Sequence, residues 1–318
     1  MRDTLQRRCE LYIQNRDTLR KTFKWDNSDM YALCANLFCA RGKAADADEL
    51  RRCNELLKRQ TGLFSNFRGT ARLVVVTMLA ADDAPDDVRL ADMLDAYDQL
   101  KKHFSGSQYL AAAALLLAET PHSRPAADVA DRARSIYNKM RKEHPFLTGS
   151  DDSVLALLLA LSDKDEYALI AEMEDCYQRL KPSFGMGDGL QGASHVLALA
   201  PGATLDKSAR MIALYEGLRK AGRKYGKSYE LPVLAALSIL PVGIDTAVAD
   251  MLDADAWLAA QPGYRGIFGE PRRKRLTHAA MLVADDHAPD PAMDAASMAT
   301  TLAMIAAQQA ATAAAAAT

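Results

Sequence analysis

The 318-residue chain is short of most features that would declare a function, and each shortage removes a class. It has almost no net charge, −2 at neutral pH, so the whole chain offers no electrostatic case for nucleic acid or an anionic membrane. It has no run of 18 apolar residues, which excludes an ordinary membrane span. Its first residues, Met1 to Lys21, are broken by charges every few positions and lack the apolar stretch of a signal peptide. Only five cysteines occur (Cys9, Cys34, Cys39, Cys53, Cys176), with no CxxC pair, so neither a disulfide framework nor a zinc knuckle is expected. They read as small apolar residues of a reducing compartment, and the protein as cytoplasmic. Standard catalytic and nucleotide signatures are missing too: no P-loop, no GxGxxG after a strand, no GxSxG and no HExxH. No cofactor and no metal is expected.

What the sequence does contain is self-similarity. A Tyr or polar residue, two variable positions, a Leu or Met and then basic residues recur at Arg16–Lys21, Asn54–Arg59, Tyr97–Lys102, Tyr137–Lys142, Tyr177–Lys181 and Tyr215–Lys220. A degenerate seventh copy is Asp255–Leu258. The steps between copies are 38, 43, 40, 40, 38 and 40 residues. Each copy ends a segment with apolar residues three or four apart, as at Met93, Leu94, Tyr97 and Leu100, which is helical spacing. The basic residues in the last turn complement the helix dipole. An aromatic follows in most copies (Phe23, Phe64, Phe104, Phe146, Phe184, Tyr225) and is expected to pack the outgoing loop back onto its helix. The tyrosine series itself reads as packing between neighbouring repeats.

Between these outer helices lie short segments that are apolar throughout, such as Leu110–Ala118 and Leu231–Leu240. A helix apolar on every face must be buried on every face. Their Leu and Ala content favours helix over strand, with Leu73–Val76 the one ambiguous stretch. The expected fold is therefore all-α: about seven tandem α-hairpins of roughly 40 residues in a single domain. A closed or strongly curved α/α array is preferred and an open solenoid is the alternative. The Ala-rich segment from Met293 to about Ala317 is expected as a last helix, and it would make the chain a homo-oligomer subunit if exposed.

The loops that precede the inner helices carry more polar and aromatic residues than a turn requires. The candidate ligand-binding residues are Asn66, Arg68, Tyr109, Asp151, Asp152, Asp188, His195, Tyr229 and Glu230. All occupy one place in the repeat and so share one face, near inner-helix N-termini that favour an anion. Asp26, Ser28, Ser65, Ser107, Asp151 and Asp188 also serve as N-caps, whereas Arg68, Tyr229 and Glu230 are harder to explain that way. The basic run Arg272–Arg275 reads as a solvated helix start.

Several of these segments have a family likeness. Ser65–Gly69 (SNFRG), Glu143–Thr148 (EHPFLT) with Asp151–Ser153, Ser194–Leu199 (SHVLAL) and Tyr225–Pro232 (YGKSYELP) resemble the bacterial family catalogued as domain of unknown function 4003. The likeness extends through Ala279–Val283 to Gln308 and Gln309, nearly the whole chain. It implies a helical bacterial protein and supplies no reaction. Two functions are weighed: a non-catalytic repeat scaffold binding a peptide, protein or small molecule, and an α/α-toroid enzyme using loop carboxylates as acid and base on a carbohydrate, isoprenoid or modified peptide.

Overall fold

In a computed structural model the chain is described over residues 1–24, 28–69, 71–82, 86–120, 122–150, 152–266 and 269–288. Asp26, Asp151 and the segment from Met293 lie outside these residues. The described residues form fourteen α-helices and one short 3₁₀ turn, with no strand. They pair as seven hairpins, each an outer helix followed by an inner one. These are α1 (Asp3–Thr22) with α2 (Ser28–Ala40), α3 (Ala47–Gln60) with α4 (Arg72–Ala80), and α5 (Asp86–Lys101) with α6 (Gln108–Glu119). They continue with α7 (Ala126–Glu143) and α8 (Asp152–Leu161), α9 (Glu166–Phe184) and α10 (Asp188–Leu199), α11 (Thr204–Lys220) and α12 (Leu231–Ile239), then α13 (Ile244–Ala259) and α14 (Arg272–His287). The ambiguous Leu73–Val76 stretch lies in α4 and is helical.

The inner helices are buried on all sides, as their composition requires. In α6 every residue from Tyr109 to Leu117 is buried, and in α12 every residue from Leu231 to Ser238. Helices so enclosed cannot satisfy their C-terminal carbonyls with water. Cations from the outer helices do so instead. Arg89 donates to the carbonyls of Met78 and Leu79 at the end of α4, at 3.0 and 3.3 Å. Arg210 donates to that of Ser238 in the last turn of α12 and to those of Leu240 and Val242 beyond it, at 2.8 to 3.0 Å. Arg132 reaches the Ala160 carbonyl at 3.2 Å, and Lys207 that of Ala200 at 2.9 Å. A cation at a helix C-terminus also meets the negative end of its dipole.

The residues fall into two compact units, residues 14–166 and residues 1–13 with 167–288. In the latter the first turns of α1 lie on α13 and α14. The N-terminal ammonium pairs with Asp253 at 2.6 Å, and Arg2 pairs with Asp250 at 2.8 Å and Asp286 at 2.6 Å. His287 Nε2 joins Asp250 at 2.7 Å. Deeper, Tyr12 and Tyr264 share a hydroxyl contact of 2.9 Å, and Tyr264 meets His278 Nδ1 at 2.7 Å. All five cysteines are free and buried. Burial pushes the Cys9 thiol up to about 12 and raises Cys176 as well, which leaves both as thiols at neutral pH.

Candidate functional site

The return loops from outer to inner helix hold most of the polar residues singled out in the sequence. In residues 14–166 they are tied into the fold. Ser65 accepts from the Phe67 N–H at 3.3 Å and opens the 3₁₀ turn Asn66–Arg68; Ser107 accepts from the Leu110 N–H at 3.1 Å and caps α6. Arg68 is a cap of another kind. Its guanidinium donates to the Thr61 hydroxyl at 3.1 Å, to the Thr61 carbonyl at 2.6 Å and to the Lys58 carbonyl, closing the C-terminus of α3. Arg68 thus has a structural role, as a C-terminal cap, that its residue type and position did not announce. Asn66 donates to the Tyr97 hydroxyl of the next outer helix at 2.7 Å. Asp152 accepts from the Gly149 N–H at 2.8 Å and is buried, as is Tyr109.

In the second unit the loops also press together. A Cβ on Gly189 would lie 1.9 Å from the Ser228 carbonyl oxygen, so the start of α10 fits against residues 226–230 only without a side chain. Gly185 and Gly187, with φ of +87° and +148°, form the turn that brings α10 there. Asp188 is exposed at the first turn of α10, and Gly187 rather than Asp188 occupies its N-cap. His195 is 2% exposed inside the same helix, and Tyr229 is half-buried. Glu230 is wholly buried. Its carboxylate accepts from the Ser228 N–H at 3.0 Å and pairs with Arg273 at 2.8 Å, so it too has a structural assignment. Arg273 and Arg275, the latter 2.6 Å from Asp255, show that the basic run is anchored at the start of α14 rather than merely solvated. Burial pushes the Tyr225 phenol up; its hydroxyl donates to the Glu230 carbonyl at 3.1 Å.

The aromatic that follows each outer helix divides into two kinds. Phe104 meets Tyr137 edge-on at 5.6 Å with Arg134 over both rings, and Phe184 meets Tyr215 edge-on at 5.1 Å with Lys227 over both. Tyr225 is buried. Phe64 and Phe146 contradict the expectation that every copy packs its loop. They are 97% and 99% exposed, and Leu63 beside Phe64 is 74% exposed. The reason in the first case is a competitor: Phe67 takes the edge-on place against Tyr97, 5.1 Å between centroids.

Sequence reasoning missed the inner-helix caps Arg89, Arg132, Lys207 and Arg210. A signal existed, since each is a cation in the N-terminal half of an outer helix, where the dipole disfavours it. It also missed Glu49, Cys53 and Asp86, whose ligand atoms lie within 4.8 Å of one another. Arg52 pairs with both carboxylates, and burial with the two acids holds the thiol well above its ordinary value, so that group is an ion-pair cluster.

No solved structure matches the chain. One curated relative, the uncharacterized protein YeaA of Bacillus subtilis (strain 168), is 24% identical over 250 residues, covering 74% of this chain and 73% of the relative. The family model described as "Protein of unknown function (DUF4003)" matches residues 15–310, so the chain belongs to that family.

Proposed function

We propose that this chain is a non-catalytic helical-repeat binding protein of the cytoplasm, which captures a partner at the return loops of residues 14–166. One observation carries the reading. The polar residues of those loops hold backbone and neighbouring loops, while Leu63, Phe64 and Phe146 stand in water at the same repeat position. The recurrence of large, nearly fully exposed apolar side chains at one repeat position favours an interaction surface there. Acid–base catalysis by the loop carboxylates has less support, because Asp152 and Glu230 each accept a backbone N–H in a structural contact. The five free, buried cysteines fit a reducing compartment.

The test is site-directed photo-crosslinking in living cells. A photoreactive residue at position 64 or 146 is expected to yield adducts, to protein or to lipid, and one at Leu205, exposed at the start of α11, only background. Equal background at all three positions overturns the reading.

A further inference from the structure

The near-zero net charge conceals a segregation of charge within residues 14–166. The outer helices α3, α5 and α7 are separated by single antiparallel inner helices, so they run in one direction. Their C-terminal ends lie side by side, since Phe67 reaches Tyr97 and Phe104 reaches Tyr137 at that end. The first turns carry acids: Asp48 and Glu49 in α3, Asp86 and Asp87 in α5, Asp128 in α7. The last turns carry Lys58 and Arg59, Lys101, and Arg141 and Lys142, all exposed. Lys58 is neutralised by Glu55 at 2.8 Å, and Glu143 adjoins the α7 pair, yet the balance at this end remains positive. Dipole complementarity accounts for such a pattern by itself. It does not account for Phe64, Phe146 and Leu63, which project from the same end with 97%, 99% and 74% of their surface in water.

We infer that this end is a peripheral docking surface for an anionic lipid bilayer. The inference rests on the binding-protein reading above and names its partner. Exposed aromatics flanked by exposed Lys and Arg are the chemistry of interfacial adsorption, in which rings enter the headgroup boundary while cations meet anionic lipid. The two phenylalanines stand on separate loop tips with a whole hairpin between them, roughly 20 Å apart at ordinary helix spacing. A fluid surface accepts such spaced wedges, whereas a protein partner engages a contiguous central patch. None of the described helices is long and apolar enough to cross a membrane, so the contact is superficial.

The experiment is vesicle flotation of the full chain with phosphatidylcholine alone and with one-third phosphatidylglycerol. The expected result is ~10-fold more protein on the anionic vesicles at low salt, falling severalfold in 0.5 M salt. Phe64→Ser with Phe146→Ser is expected to lose ~10-fold of that binding at an unchanged unfolding midpoint, as is Arg59→Glu with Lys142→Glu. Val88→Ser, which removes an apolar side chain exposed at the acidic end, is expected to float like the parent. No excess on anionic vesicles, or a double phenylalanine variant that floats like the parent, overturns the inference. Protein adducts at positions 64 and 146 without flotation would sink the bilayer and leave the binding reading standing. Neither adducts nor flotation would sink both.

Discussion

The C-terminal ends of α5 and α9 and those of α3 and α7 carry the same residue type at the same place in the repeat, yet they treat it in opposite ways. Phe104 and Phe184 each lie edge-on to a tyrosine of the next outer helix beneath a cation, while Phe64 and Phe146 contact water almost entirely. The difference teaches that an aromatic after the outer helix is optional for the fold. Where the tyrosine is within reach it becomes a brace between repeats; where Phe67 has taken that position, Phe64 is released to the surface. The braced loops are architecture and the released ones are the surface proposed here to act.

That contrast can be broken by substitution. Phe184→Ala empties a site that is 7% exposed and is expected to cost about 3 kcal/mol, read as a lower urea midpoint with unchanged slope. Arg210→Ala leaves three carbonyls in the last turn of α12 and beyond it without their donor and is expected to cost about 2 kcal/mol, with faster amide exchange concentrated in α12. Asp250→Asn tests the seat of the N-terminus. Burial pushes the Asp250 carboxyl up, but hydrogen bonds from Arg2 and His287 outweigh it and hold the group below its ordinary value of about 3.9. A depressed carboxyl stabilises above that value, and its contribution is lost as pH falls through the folded-state value. The variant is therefore expected to be weaker by about 1 kcal/mol at pH 7, the partner Arg2 being partly solvated, and to converge on the parent in acid. A gap that does not narrow as the pH falls would assign the loss to packing instead. Phe64→Ala and Phe146→Ala should change stability by less than about 0.5 kcal/mol each, in keeping with side chains that touch little. A loss as large as that of Phe184→Ala would erase the distinction between the two kinds of loop.

Much of the fold is legible in the sequence. The period near 40, the amphipathic segments around Tyr97, Tyr137, Tyr177 and Tyr215, and the wholly apolar segments between them lead to seven outer and seven inner helices, which is the order observed. Helical periodicity and all-round hydrophobicity are local properties, so they can be read from neighbours in the chain. The site is less legible. Arg68, Asp152 and Glu230 look like surplus polar groups until the carbonyls and N–H groups they serve are seen, and those groups belong to backbone geometry rather than to residue identity. Arg89 and Arg210 stand out only as cations in the first half of a helix; what they serve is hidden, since their partners sit 10 to 32 positions away at the ends of buried helices.

By itself the sequence determined the helical class, the repeat and the placement of acids and bases at opposite ends of the outer helices up to α11, because propensity, period and dipole act over a few residues. Tertiary structure alone decided which of several equivalent phenylalanines is buried. Burial depends on whether a neighbouring repeat presents an unoccupied ring face, and at Tyr97 that face was already taken. It also turned a chain of nearly zero net charge into a unit with a basic, apolar-tipped end, because charges separated in sequence by about 40 residues come together only when the outer helices stand side by side.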